Sequence, residues 1–206
     1  MSSASANPIE VILFDLGGVL IKVDGVSPMM KWIAETMTPD IFWKKWLAST
    51  AVREFETGRI HHDHFARQLV DEMSLQIDPD VFLTSFTNWP RGLFPGTESL
   101  FDRIPLDYTL AALSNSNSLH WPRMMDDMGL AAMFDHCFAS HLIGKIKPDV
   151  EVFEHVVEAL ECKPDTILYV DDNQPNVDAA RSLGIRAELT RGITAVERVL
   201  QRYQII

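Results

Sequence analysis

Apolar residues fall along this chain in two rhythms. The first is a short run dense in Ile, Val and Leu. It occurs at residues 9–14, at 108–114 (YTLAALS), at 166–172 (TILYVDD) and, more briefly, at 185–189 (IRAEL). A strand buried on both faces reads this way, because neither side of its pleat meets water. The second rhythm is helical spacing. Residues 148–160 (PDVEVFEHVVEAL) open on Pro148, and residues 176–184 (NVDAARSLG) close on Gly184, where a helix commonly ends. Strands alternating with helices predict βαβ units and a parallel sheet.

Residues 21–93 differ, since no strand-like run there matches the others in strength. Residues 38–50 (TPDIFWKKWLAST) open with Thr38 as cap and Pro39 at the first helical position. Residues 78–86 begin the same way, and residues 60–73 also read as helix. The expected fold class is therefore α/β: a Rossmann-like parallel sheet core, from residues 9–20 and 94–206, with a helical cap, residues 21–93, inserted after the first strand. There is no internal repeat and no low-complexity segment. Residues 1–8 read as a loose tail.

Composition narrows the function. The formal net charge is −11 with no basic run, so nucleic acid and anionic membrane are not expected partners. Cys137 and Cys162 are the only cysteines, without CxxC spacing, which fits a reducing compartment rather than a disulfide scaffold. The first ten residues carry no basic end and no apolar run, and no apolar stretch approaches the length of a membrane span. The expectation is a soluble cytoplasmic protein.

In an open parallel sheet, ligands bind beyond the carboxyl ends of the strands. Polar clusters stand at that edge: Asp15 after the first strand, Ser114 and Asn115 after the second, Asp171 and Asp172 after a later one. Lys147 falls just before a helix. Clustered carboxylates repel one another unless a cation joins them, and hard oxygen ligands suit Mg²⁺. A divalent ion with a lysine and a hydroxyl makes a pocket for a phosphoryl group. Gly17 and Gly18, directly after Asp15, let the backbone turn and approach such a group closely, and a carbonyl there is available as a ligand.

With these residues in view, the chain resembles the haloacid dehalogenase superfamily, most of whose members are phosphatases. FDLGGVL resembles the first family motif, LSNSN the second, KIKPD the third and VDDNQPN the fourth, in family order over nearly the whole chain. The nearest likeness is to sugar-phosphate phosphatases acting on glucose 1-phosphate and to the phosphatase domain of soluble epoxide hydrolase. The resemblance implies Asp15 as nucleophile, forming an aspartyl-phosphate. It implies Ser114, Asn115 and Lys147 as contacts to substrate, and Mg²⁺ held by Asp15, the Gly17 carbonyl and Asp172, with Asp171 beside it. The implied substrate is a small phosphorylated metabolite.

One position departs from that pattern. The usual phosphatase motif carries a second aspartate two residues after the nucleophile, which protonates the leaving group and then activates water. Here that position is Gly17, as it is in the glucose-1-phosphatase-like subgroup. General acid–base catalysis is worth about 10²–10⁴-fold, so the site needs another proton donor or a leaving group that does without one. His120 and the histidines of the insert are candidates. Two other functions share the motifs: a 2-haloacid dehalogenase, which needs no metal, and a catalytically weak binding or scaffold protein.

Other residues carry blander readings. The HHDH run at 61–64 reads as a solvated helix start rather than a metal site. Trp32, Trp43 and Trp46 are expected in the core of the insert, with one of them available to roof the substrate. Arg53 is available to a substrate anion but reads rather as a surface arginine. Asn176 either hydrogen-bonds within the site or caps the helix it begins.

Overall fold

The computed structural model describes residues 9–33 and 37–206. The tail expected over residues 1–8 lies outside the described residues. In chain order the elements are β1 (Val11–Phe14), β2 (Ile21–Val23), α1 (Val26–Met29), α2 (Pro39–Ala48), α3 (Thr50–Glu56), α4 (His62–Glu72), α5 (Pro79–Thr87), β3 (Pro90–Leu93), α6 (Thr97–Phe101) and β4 (Thr109–Ser114). There follow α7 (His120–Pro122), β5 (His136–Ala139), α8 (Ser140–Ile143), α9 (Val150–Ala159), β6 (Ile167–Asp171), α10 (Gln174–Ser182), β7 (Arg186–Leu189) and α11 (Gly192–Arg202). A π-helical turn, Arg123–Asp127, extends α7. Among the described residues no helix is long and apolar enough to cross a membrane.

The main sheet has the order β5-β4-β1-β6-β7, and its pairings are parallel. Alternation along β1 divides the core in two. Ile12 and Phe14 face one layer, with Leu100 of α6, Met124, Met125 and Val196, Val199 and Leu200 of α11. Val11 and Leu13 face the other, with Val152, Phe153 and Val156 of α9 and Val177 and Ala180 of α10. The chain thus leaves β1 and β6, which are neighbours, toward opposite faces. That is the switch point of an open sheet, where a crevice opens beyond the strand ends. Asp15 and the Asp171–Asp172 pair stand at it.

Between β2 and β3 the helices α1–α5 bury a cluster of their own. Trp46, Phe55, Phe65, Phe82, Phe86 and Trp89 form it, with Phe55 stacked on Phe65 at 4.3 Å and Trp46 at 4.9 Å from Trp89. Trp46 therefore takes the core position expected for it, Trp32 is partly buried against the same cluster, and Trp43 stays 37% exposed.

Several details differ from the sequence expectation. Residues 38–50 form two helices, because Ser49 is extended (φ −68°, ψ 127°) and ends α2 while beginning α3. Its Oγ accepts from the Val52 N–H at 3.2 Å and donates to Glu72 at 2.8 Å. A serine that finds both partners outside the helix gains more there than within it. Residues 21–23 and 90–93 pair as an antiparallel ribbon, although their short, partly polar sequences carry no strand signal. Strand β5 was also not expected, since two of its four residues are exposed at the sheet edge. Helix α11 goes beyond the sequence expectation, although Val196, Val199 and Leu200 keep helical spacing. Asn173, not Asn176, precedes α10.

Candidate active site

Every residue that the sequence placed in the site lies at the carboxyl edge of the main sheet. The Asp15 N–H donates to the Val170 carbonyl at 2.9 Å, which ties the first strand end to the fourth motif. Lys147 is buried, and its Nζ uses all three of its donors. It donates to Asp15 Oδ1 at 2.8 Å, to Asp171 Oδ2 at 2.8 Å and to the Leu113 carbonyl at 3.0 Å. Burial pulls its pKa down, but Asp15 and Asp171 outweigh that and hold it above the ordinary value. It is a fixed cation.

Asp171 is the most heavily bonded group. Besides Lys147 it accepts from the Tyr169 hydroxyl, from the Asn173 N–H at 2.8 Å and from Asn176 Nδ2 at 3.0 Å to each oxygen. Burial would raise its pKa; Lys147 and these donors hold it lowered. Asn176 thus bonds within the site. Asn115 exchanges two 2.9 Å hydrogen bonds with the Lys147 main chain, which commits its amide to positioning that residue. Ser114 Oγ makes only a long 3.4 Å contact to the Asn115 carbonyl, so it remains available to a ligand.

Asp15 meets Lys147 through Oδ1 alone, and Asp172 accepts from no other side chain among the described residues. Asp15 is pushed up to about 7, by burial first and then by Asp171 and Asp172, against the pull of Lys147. Asp172 is also raised, by burial and by Asp171, and Arg191 and Lys147 act on it only from a distance. Ligand oxygens of Asp15, Asp171 and Asp172 all lie within 4.8 Å of one another. Three carboxylates against one ammonium leave a surplus of negative charge in a buried place, and the donors are hard oxygens. This set fits a divalent cation such as Mg²⁺.

The two glycines play unequal parts. At Gly18 (φ +75°) an added Cβ would sit 2.4 Å from Asp172 Oδ2, so only glycine lets that carboxylate in. Gly17 does not have positive φ, and a Cβ there would meet only Val23 Cγ2, at 3.4 Å. No main-chain N–H of the described residues donates to the Gly17 carbonyl, which stays available.

Above these groups lies a cavity of about 320 Å³, within the range of small-molecule sites. Its floor includes Asp15, Ser114, Lys147 and Asp172. Its roof is Val23, Trp43, Trp46, Leu47 and Trp89, with Glu56 among them. His120 lines it too, but Nε2 donates to the Phe86 carbonyl at 2.6 Å and Nδ1 accepts from Asn117 at 3.2 Å. Burial lowers its pKa to about 4. It is neutral and fully engaged, which removes it as a proton donor. His61, His62 and Asp63 cluster on the exposed start of α4, outside the cavity, with the two rings 3.7 Å apart.

Sequence reasoning missed Tyr169, Trp89 and Glu56. Glu56 alone left a trace. It stands four residues after Val52 and beside Phe55, on the buried face of α3, where the helical pattern calls for an apolar residue. Arg53 lies at the surface, as expected, and pairs there with Asp149, two residues beyond Lys147.

Comparison with known proteins places the fold and the family. The sesquiterpene phosphatase astK of Aspergillus oryzae is 42% identical over 190 residues, covering 85% of this chain and 87% of that protein. The D-ribitol-5-phosphate phosphatase of Bacteroides thetaiotaomicron is 25% identical over 195 residues, covering 85% and 89%. A HAD-family enzyme of the same bacterium, solved with magnesium and inorganic phosphate, superposes with a TM-score of 0.72 at 21% identity, covering 89% of this chain and 94% of that one. That likeness speaks to the fold. Residues 9–184 match the haloacid dehalogenase-like hydrolases, and with the four motifs gathered at one sheet edge the chain belongs to that family.

Proposed function

We propose that this hydrolase is a Mg²⁺-dependent phosphatase that cleaves a phosphate monoester with an apolar body. The observation that carries the reading is the arrangement around Lys147. Its ammonium lies 2.8 Å from Asp15 Oδ1 and 2.8 Å from Asp171 Oδ2, and ligand oxygens of Asp15, Asp171 and Asp172 stand within 4.8 Å of one another.

In this reading Asp15 attacks phosphorus in line and the ester oxygen departs on the far side, leaving an aspartyl-phosphate that water hydrolyses. Ser114 holds a non-bridging oxygen, and Lys147, whose donors are taken by Asp15, Asp171 and the Leu113 carbonyl, supplies positive charge beneath the phosphoryl group. Asp171 is a positioning residue: its bonds fix the Lys147 ammonium, and Asn115 fixes the main chain beneath it. Asp15, Asp172 and the Gly17 carbonyl would hold Mg²⁺, which supplies charge neutralisation for the phosphoryl oxygens and for the carboxylates around it. Residues 9–20 and 94–206 act as catalytic core and residues 21–93 as cap. Two free cysteines support a cytoplasmic setting.

The substrate class comes from the roof. Val23, Trp43, Trp46, Leu47 and Trp89 offer an aromatic and aliphatic surface that favours a hydrocarbon over a polyol. The likeness to a sesquiterpene phosphatase supports the same choice. The test is phosphate release from farnesyl phosphate, ribitol 5-phosphate and glucose 1-phosphate, with Mg²⁺ and with EDTA. The expected result is Mg²⁺-dependent turnover with the highest kcat/KM on farnesyl phosphate. Turnover of a 2-haloacid in EDTA would make the protein a dehalogenase. Inertness toward all phosphate esters would leave the scaffold reading.

A further inference from the structure

We infer that Glu56, on helix α3 of the insert, is the general acid and base of this site, in place of the carboxylate that Gly17 lacks. The inference rests on the phosphatase reading and adds a catalytic residue to it.

Position is the first argument. Glu56 is the last residue of α3 and lines the cavity that holds Asp15, Ser114, Lys147 and Asp172. Asp15 comes up from the strand end and Glu56 comes down from the roof. In-line displacement places the leaving oxygen opposite the nucleophile, on the roof side. A proton donor belongs there.

The second argument is the lack of any structural use for the group. Among the described residues the Glu56 carboxyl forms no hydrogen bond and no ion pair. Leaving a carboxyl half-buried and unpartnered costs stability. Glu72, by contrast, is fully engaged at the other end of α3, where it accepts from Ser49 and from the Thr50 and Ala51 N–H groups.

The third is that α3 is held in register with the core. Arg53 pairs with Asp149, just beyond Lys147. Gly58 (φ +73°) lies so close to α8 that a Cβ would sit 2.3 Å from the His141 carbonyl. These contacts bracket Glu56 and fix its height over the floor.

The charged and titratable neighbours leave it protonated. Lys147 faces it from the core, the Arg53–Asp149 pair lies one turn back, His141 of α8 is held neutral by burial, and Glu72 of α4 stands at the far end of α3. Burial pushes the Glu56 carboxyl up to about 8, against the pull of Lys147. The helix C-terminus acts in the same direction. His120, the other titratable group of the roof, has no proton to give, as shown above.

The steps balance. An Asp15 oxygen bonds to phosphorus as the bond from phosphorus to the ester oxygen breaks, and the Glu56 proton passes to that oxygen to release an alcohol. Glu56 is then a carboxylate. It takes a proton from water as the water oxygen bonds to phosphorus and the Asp15–phosphorus bond breaks. Phosphate leaves, Asp15 is again a carboxylate, and Glu56 is again protonated.

The test uses the full chain with Mg²⁺ and two esters. Farnesyl phosphate needs a proton on its leaving oxygen, and 4-nitrophenyl phosphate does not. For Glu56→Gln, single-turnover cleavage of farnesyl phosphate is expected to fall about 10²–10⁴-fold. Cleavage of the nitrophenyl ester should stay within about threefold in its first turnover, because that leaving group departs as an anion. It should then show a burst of nitrophenolate and slow turnover, since the base for water is missing. In wild-type protein the rate on farnesyl phosphate should fall as pH rises through about 8, and Glu56→Gln should lack that limb. Glu56→Asp should recover part of the loss. An equal loss on both esters without a burst would overturn the inference in favour of a structural role. Unchanged rates on both would overturn it in favour of another donor. Wild-type protein inert toward both esters would overturn the reading of an apolar phosphate ester as substrate, and this inference with it.

Discussion

The pocket has a floor of strand ends and a roof of helix faces, and the two treat charge in opposite ways. On the floor, Lys147 binds two carboxylates and a carbonyl, Asp171 accepts from four groups, and Asn115 clamps the main chain beneath. On the roof stand Val23, Trp43, Trp46, Leu47 and Trp89, and the carboxyl among them, Glu56, has no hydrogen-bond or ion-pair partner among the described residues. The floor is rigid because a buried charge network admits few arrangements. The roof excludes water, grips an apolar body and leaves its acid unbound. A site that must both fix a phosphoryl group and move a proton needs both kinds of surface.

Breaking the floor at its nucleophile should have the largest effect. Asp15→Asn is expected to lower kcat by roughly three orders of magnitude or more while the far-ultraviolet circular dichroism stays native. Activity within tenfold of wild type would remove Asp15 from its role.

The next test separates floor from roof by stability. Lys147→Met leaves Asp15 and Asp171 buried without their cation, at a cost of about 3–5 kcal/mol in urea unfolding. Trp43→Ala, at the exposed rim of the roof, should change stability by less than about 1 kcal/mol. It should instead raise KM for farnesyl phosphate about tenfold, the equivalent of about 1.4 kcal/mol of apolar contact. If both substitutions moved only stability, the division between the two surfaces would be false.

The paired glycines sharpen the floor. Gly18→Ala drives a methyl into Asp172 and strains a positive φ, so half-saturation by Mg²⁺ should shift upward by about tenfold or more, for a cost on the order of 1–2 kcal/mol. Gly17→Ala meets only Val23 and should titrate with Mg²⁺ like wild type. Equal shifts would mean that the two glycines serve the turn alone.

The smallest effect reads the roof through pH. Glu56 rises in the fold from 4.5 to about 8. A carboxyl raised in this way favours the native state fully below 4.5, and that contribution is lost as pH climbs to 8. Glu56→Gln has no such slope. Its melting temperature should therefore gain on wild type between pH 4.5 and 8 and hold a constant lead above. Parallel melting curves would mean that Glu56 is exposed and ordinary.

The same contrast explains what was legible in the sequence. Asp15, Ser114 and Asp172 were visible because each follows an apolar run, and a strand in a parallel sheet delivers its next residue to a known edge. Lys147 came from its place before a helix and from the third motif. The commitments of Asn115 and Asn176 were not legible, since a side-chain amide reveals its partners only once the loops are folded. The break at Ser49 was hidden because serine, caps and helix interiors share the same letters. The roof was least legible of all. Trp43, Trp89 and Glu56 meet only through the packing of α2, α3 and the β2–β3 ribbon, and no spacing in the chain records that. The polar residue at an apolar position of α3 was the sole trace.

A bond from Asp15 to phosphorus is the central step, and trapping that bond is its most direct test. Glu56→Gln, mixed with Mg²⁺ and 4-nitrophenyl phosphate and quenched in acid during the burst, should carry one phosphoryl group, found by peptide mass spectrometry on Asp15 and absent from Asp15→Asn. A phosphoryl group on any other residue, or turnover with Asp15 unmodified at every quench time, would contradict the account.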